Sequence, residues 1–316
     1  MPAVSDPVAA LFSNPERVGR TDAVVVLRDG DVVVERYGEG IGPDDTLRSW
    51  SMAKSMLHAA FGLLVDRDEV DLDAPASVAA WADPDDPRHA ITPRQLLTMR
   101  AGLTWTEEPV GRTLPDVVHL VYGNDGRPQP DTAAWAADRP LSHAPGAHFQ
   151  YASACSAILA GILRDTVGAG ADGAAWLRTN LFDPVGMDSA TPRFDEAGTW
   201  LASSFCFCTA RDFARFGQLY LDEGACADGR RLLDPAWIAT AAVETGRDAL
   251  GRIHTMHWWR FGDDPWGAYG ASGYLGQHIV VVPPLRLVVV RLGETPTEQR
   301  HHVHAALTDL IASFDE

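Results

Sequence analysis

Ser51-Met52-Ala53-Lys54 opens a run in which Met52, Leu57, Ala60, Leu63 and Leu64 recur at helical spacing. Ser51 therefore stands at the first turn of a helix, where unpaired amides and the helix dipole favour developing negative charge. Lys54 follows three residues later, close to one turn, so its amine shares a helix face with the Ser51 hydroxyl. Lys54 is the only lysine among the 26 Lys and Arg residues of this 316-residue chain. Arginine serves wherever a surface cation is enough, but it cannot lose its proton near neutral pH, whereas a buried lysine can. One lysine kept beside a hydroxyl suits a serine nucleophile with a lysine base. A plainer reading, arginine-favouring codon usage and a chance Ser-x-x-Lys, stands against it on this tetrapeptide alone. The rest of the chain decides between them.

Upstream, residues 22–37 give two β-rich runs joined by Arg28-Asp29-Gly30, a strong hairpin signal. From about Leu72 to Trp200 strand signals are sparse, and helical patches (Pro93 to Met99, Asp131 to Ala137, Ser153 to Asp165, Gly173 to Leu181) alternate with Pro/Gly/Asp-rich loops. Helices follow at Arg211 to Leu221 and Pro235 to Val243. Strands then run Ile253 to Phe261, Tyr274 to Val282 and Leu285 to Gly293, with Pro283-Pro284 at the last turn, before a closing helix from Glu298 to Phe314. This layout predicts an α+β fold: a mostly antiparallel sheet faced by helices, carrying a helical domain. The expected division is a discontinuous sandwich domain, 1–71 with 205–316, and a mainly helical domain, 72–204, with the active site in the cleft between them.

Composition narrows the class. Hydrophobic content of 46% and charged content of 22% are those of a soluble globular protein. A formal net charge of -17 argues against nucleic acid or an anionic membrane as partner. No apolar run reaches the ~18 residues a bilayer span needs. The start, Met1-Pro2-Ala3-Val4-Ser5-Asp6-Pro7, lacks a basic residue followed by an apolar stretch, so a secretory signal is not expected. Cys155, Cys206, Cys208 and Cys226 show no disulfide framework; Cys206 and Cys208 fall on one face of an extended segment as small buried hydrophobes. A reducing cytoplasm fits this usage.

Two further segments carry candidate chemistry. Tyr151-Ala152-Ser153, entering a helix, can present a phenol and a hydroxyl to a cleft, although a core tyrosine with Ser153 as helix cap explains it as well. Gly270-Ala271-Ser272-Gly273-Tyr274-Leu275-Gly276-Gln277 puts small residues along a strand edge, allowing close approach of a substrate and donation from an amide to an oxyanion; a bulged edge strand is the alternative.

Together the three segments resemble the penicillin-recognising serine hydrolases, above all the class C β-lactamase-like esterases and the 6-aminohexanoate-dimer hydrolase group, which carry Ser-x-x-Lys, Tyr-x-Asn/Ser and Lys/His-x-Gly variants in this order. Leu96 to Leu103, Asp138 to Gly146, Leu181 to Met187 and Thr209 to Gly217 are similar to further family stretches, so the resemblance covers roughly residues 20–312. It implies Ser51 as acylated nucleophile, Lys54 as its base, and Tyr151 as relay to the leaving group. It implies the backbone amides of Ser51 and Tyr274 as oxyanion hole, and Ser153, Ala271, Ser272 and Gly273 as substrate-binding residues. No metal or organic cofactor is implied.

Two departures from the family pattern set the substrate preference. Ala271 stands where β-lactamases place a lysine that helps hold the substrate carboxylate. Ser153 replaces the asparagine that holds an acylamido side chain. Both lean toward a small ester or linear amide. The alternatives are a D-amino-acid or ω-amino-acid peptidase, including a 6-aminohexanoate-oligomer hydrolase, and a non-turnover acyl-binding or sensor protein. Tyr274 occupies the last glycine's place in Gly270–Tyr274, which rules out the Gly-x-Ser-x-Gly elbow of α/β-hydrolases. His254 and His257 are expected on one strand, facing opposite ways and binding no metal. His301, His302 and His304 are expected at the surface of the last helix. Trp105, Trp258, Trp259 and Trp266 are candidates for an apolar acyl pocket, with core packing as the default for at least half.

Overall fold

The computed structural model describes residues 6–262 and 264–315. Among these residues eleven strands form two sheets. They are β1 (Arg20–Arg28), β2 (Asp31–Tyr37), β3 (Leu47–Arg48), β4 (Thr191–Pro192), β5 (Cys206–Cys208), β6 (Gly246–Arg247), β7 (Ile253–His254), β8 (Trp259–Arg260), β9 (Tyr269–Gly273), β10 (Gln277–Val282) and β11 (Leu287–Glu294). The large sheet runs β2-β1-β11-β10-β9-β8-β7-β6 and every pairing is antiparallel; β3-β5-β4 form a small second sheet. The β1–β2 hairpin turns at Asp29 and Gly30, both with positive φ, as a two-residue loop of right-handed-twisting strands requires.

The central strands read as unbroken apolar runs because both faces are covered. Ala23, Val25, Leu27, Ile279, Val281, Val288 and Val290 face inward. Val24, Val26, Val280, Val282 and Val289 face outward onto helix α1 (Pro7–Ser13), α2 (Pro15–Val18) and the last helix, through Leu11, Val18, Val303, Leu307 and Leu310. On the inner face lies α3 (Met52–Asp66), buried from Met52 to Leu64. Between β3 and β6 the chain adds no strand to the large sheet. It supplies α4 (Pro93–Leu97), α5 (Asp116–Tyr122), α6 (Thr132–Ala137), α7 (Ser153–Val167), α8 (Ala171–Leu177), α9 (Asp183–Val185), α10 (Ala210–Leu221) and α11 (Pro235–Ala239); α12 (Arg300–Ala312) closes the fold. One apolar core runs unbroken from the inner sheet face through α3 and α7 to Trp81 and Leu120. Each fully buried Val, Leu, Ile, Met or Phe side chain in it is worth about 1.5–3 kcal/mol.

Two strand expectations are corrected. Ile253 to Phe261 is a tight hairpin rather than one strand: His254 pairs with Trp259, and His257 sits in the turn at φ 60. His254 and His257 are consequently both buried, with ring centroids 6.4 Å apart, not on opposite faces of a strand. Tyr274 lies in the turn after β9 instead of starting the next strand. That turn is braced by buried Arg291, which donates to the carbonyls of Leu275 and Gly276 on one side and of Val18 and Arg20 on the other. Of the last-helix histidines, His304 is not at the surface: it stacks on Phe261 at 4.1 Å and meets His278 edge-on. Cys206 and Cys208 are buried as expected, and all four cysteines are free. Among the described residues no single helix is long and apolar enough to cross a membrane.

Candidate active site

The entry to α3 is wound more tightly than an α-helix. Amides of Met52, Ala53 and Lys54 bond to the carbonyls of Ser49, Trp50 and Ser51, three residues back. At three residues per turn, side chains at i and i+3 eclipse. Lys54 Nζ thus lies 3.0 Å from Ser51 Oγ. Ser51 is the N-cap residue, yet its hydroxyl makes no capping bond. Trp50, just before it, holds φ 46, a strained value for a bulky residue. The Arg48 guanidinium 4.6 Å from its ring and Tyr274 edge-on at 5.3 Å hold it there.

Lys54 is buried, and its three hydrogen-bonding directions are all used. It donates to Ser203 O at 2.6 Å and to Ser153 Oγ at 3.0 Å; the third direction meets Ser51 Oγ. Ser203 O can only accept. Three residues on from Ser203, Ser49 N donates to Cys206 O and Cys206 N to Ser49 Oγ, next to the small sheet. Ser51 Oγ also lies 3.5 Å from Ser203 O, the outer limit of a hydrogen bond.

Tyr151 reaches the site from a loop tied to the Leu96–Leu103 segment. Gln150 N donates to Met99 O, Gln150 Nε2 to Trp105 O, and Met99 turns at φ 58. The Tyr151 ring centroid is 5.1 Å from Lys54 Nζ, and Trp259 and His254 flank it at 5.3 and 5.9 Å. Its hydroxyl makes no hydrogen bond to Ser51, Lys54 or any other described residue, so the phenol adjoins the pair by its face rather than by a direct bond.

β9 borders the entry to α3 through Gly273, and its alternation redistributes the residues expected there. Ala271 is buried against the inner core. Ser272 points the other way, its hydroxyl 3.2 Å from His278 Nδ1 on the outer face. Gly273 packs so tightly on the α3 entry that a Cβ would lie 2.5 Å from Ser49 O. Ser153 is buried too, its hydroxyl held between Lys54 and Glu107. Ser153 and Ala271 are thus buried, and the Ser272 hydroxyl is turned to the outer face. The N–H groups of Ser51 and Tyr274 have no hydrogen-bond partner among the described residues. Of the candidate tryptophans, Trp258 is core and Trp266 lies on the outer face, bonded to Asp315; Trp105 is buried and donates to Glu107, and Trp259 alone borders Tyr151 half-exposed.

Ser203 and Glu107 escaped the sequence reading, and His257 was read only as a strand residue binding no metal. None has a local signal, because each acts through a bond to a residue far along the chain. His257 donates from Nδ1 to Leu97 O and accepts at Nε2 from Ser156 Oγ, while its own carbonyl accepts from Ser55 Oγ. It pins α3, α4 and α7 beneath the site as a neutral ring, burial pushing its pKa down to about 3. Burial also holds His254 well below the usual histidine range, with His257 and Lys54 adding to the effect. Among the described residues no group of three or more His, Cys, Asp or Glu is placed to hold a metal ion.

Comparison with known proteins agrees with this architecture. The family described as Beta-lactamase matches residues 14–313. A 6-aminohexanoate-dimer hydrolase from Paenarthrobacter ureafaciens is 27% identical over 307 residues, covering 92% of this chain and 77% of the relative. A Bacillus anthracis structure, described as a candidate 6-aminohexanoate-dimer hydrolase, superposes with a TM-score of 0.81 at 24% identity, over 98% of this chain and 82% of that one. A family VIII carboxylesterase superposes with a TM-score of 0.71 at 16% identity, over 95% of each chain.

Proposed function

The chain belongs to the beta-lactamase family of penicillin-recognising serine hydrolases, and on that premise we propose that it cleaves a small ester or linear amide through an acyl-enzyme. The observation that carries this reading is the placement of Lys54 Nζ 3.0 Å from Ser51 Oγ, with its other two hydrogen-bonding directions occupied. A neutral amine donating to Ser203 O and Ser153 Oγ has only its lone pair left, and that lone pair faces the Ser51 hydroxyl. Ser51 attacks the carbonyl carbon as its proton passes to Lys54. The oxyanion settles between the Ser51 and Tyr274 amides, and the tetrahedral species collapses with expulsion of the alcohol or amine, protonated by way of Tyr151. Water, activated by the same groups, then releases the acid. General acid–base help is worth about 10²–10⁴ in rate and an oxyanion donor about 10²–10³.

Ala271, where β-lactamases place a lysine, supplies no cation to hold a substrate carboxylate, which favours substrates without the carboxylate of a penicillin. The relative named as a 6-aminohexanoate-dimer hydrolase supports a linear-amide substrate as the second reading. The test compares wild type with Ser51→Ala, using a fluorophosphonate label and a short-chain p-nitrophenyl ester. Wild type labels and turns over and the variant does neither; equal signals from both remove Ser51 from the role. Parallel incubation with the 6-aminohexanoate dimer separates amidase from esterase. Intact-mass spectra over time distinguish a hydrolase, which loses its acyl adduct, from a sensor, which keeps it.

A further inference from the structure

Behind Lys54 lies a second layer that the reading above leaves without a role. Glu107, on the loop that precedes α5, accepts three hydrogen bonds: from Trp105 Nε1 at 2.7 Å, from Ser153 N at 2.9 Å and from Ser153 Oγ at 2.6 Å. Ser153 Oγ in turn accepts from Lys54 Nζ at 3.0 Å. We infer that Glu107 is a positioning residue, which sets the direction of the Ser153 hydroxyl and through it aims the Lys54 lone pair at Ser51; the inference rests on the Ser51–Lys54 reading.

A hydroxyl has one proton and can donate or accept along a given direction. Beside an ionised carboxylate, which only accepts, the Ser153 proton must point to Glu107. Its oxygen is then obliged to accept from Lys54. Were the hydroxyl free to turn, it would donate to the Lys54 lone pair and compete with Ser51 for the base. Ser153 is wholly buried, so water is not at hand to take over either bond. The same carboxylate also ties down the first amide of α7, which fixes Ser153 itself.

Glu107→Gln separates direction from packing. Its amide oxygen can still accept the two N–H bonds, from Trp105 and Ser153, on one side. Its NH₂ then faces Ser153 Oγ and donates to it, which turns the Ser153 proton toward Lys54. The expected result is a fall in kcat of about tenfold or more, the size of one misdirected hydrogen bond at the base, with KM changed by less than about twofold. Ser153→Ala removes the hydroxyl that can be turned. On that background Glu107→Gln is expected to change kcat by less than about twofold, so the double variant matches Ser153→Ala rather than showing the product of the two losses.

The experiment measures kcat and KM on a p-nitrophenyl ester for wild type, Glu107→Gln, Ser153→Ala, the double variant and Ser51→Ala, with folding checked by circular dichroism. Additive losses in the cycle, or a Glu107→Gln enzyme as fast as wild type, overturn the inference while an inactive Ser51→Ala leaves the nucleophile in place. An active Ser51→Ala overturns both. If Glu107→Gln does not fold, Ser153→Ala carries the test, since loss of the acceptor must slow kcat several-fold; wild-type kcat there overturns the inference.

Discussion

Gly273→Ala probes the cleft where β9 meets the start of α3. Gly273 has no positive φ to strain, so its cost is contact alone. The added methyl would sit 2.5 Å from Ser49 O and 3.0 Å from Gln277 Cβ, where ordinary contact begins near 3.4 Å. Something must therefore move by roughly 0.9 Å, and both neighbours are main chain or its first carbon. Ser49 O accepts the Met52 amide in the first turn of α3, and Tyr274 follows Gly273 directly. Whichever side yields, the Ser51 and Tyr274 amides separate. Oxyanion donors act at about 2.7–3.1 Å, and a shift of this size removes most of one, worth about 10²–10³ in rate. The expected outcome is a loss of about 10² in kcat, with a stability cost of about 1–3 kcal/mol from overpacking. Steady-state hydrolysis of a p-nitrophenyl ester, acylation followed by intact mass, and a urea unfolding curve measure these together. A folded Gly273→Ala enzyme with kcat within threefold of wild type refutes the pairing of the two amides as an oxyanion hole.

Two further outcomes follow from the same geometry. Lys54→Arg keeps the charge but removes an amine able to take a proton, so acylation should fall by about 10² or more; retained burst labelling by a fluorophosphonate would show that amine titration is dispensable. Stability should also fall in acid. Burial holds His58, His254 and His278 well below the ordinary histidine pKa, His304 at about 4 and His257 at about 3. The unfolded chain binds those protons near pH 6.5, so this stability is complete above that value and drains as pH falls toward the folded pKa values. The slope is about 1.4 kcal/mol per pH unit for each ring, or about 2 kcal/mol apiece at pH 5. A urea midpoint unchanged between pH 7.5 and pH 5 would show that these rings do not stay neutral.

Much of the architecture was legible because its signals are local. Helix periodicity from Met52 to Leu64, apolar runs in β1, β10 and β11, and a hairpin at Asp29-Gly30 each need only neighbours in the chain. Errors came where residue type and backbone disagree. Ile253 to Phe261 has the composition of a strand, but His257 is drawn into a left-handed turn by its bonds to Leu97 and Ser156, on other helices. Alternation along β9 likewise sends Ser272 away from the cleft, which a strand-edge reading of Ala271-Ser272-Gly273 does not distinguish.

Sequence alone determined that a hydroxyl and an amine share one turn of a helix, since i to i+3 spacing is a property of the backbone. It also determined that apolar strands on either side of a helical stretch build one sheet, because they have no other way to leave water. Tertiary structure decided everything about how that amine is aimed. Ser203 O and Ser153 Oγ reach Lys54 from 149 and 99 residues away, and Glu107, 53 residues away, meets Ser153 rather than Lys54 itself. Hydrogen-bond direction is settled only when such partners meet in a place from which water is gone, and no pattern along the chain encodes that meeting.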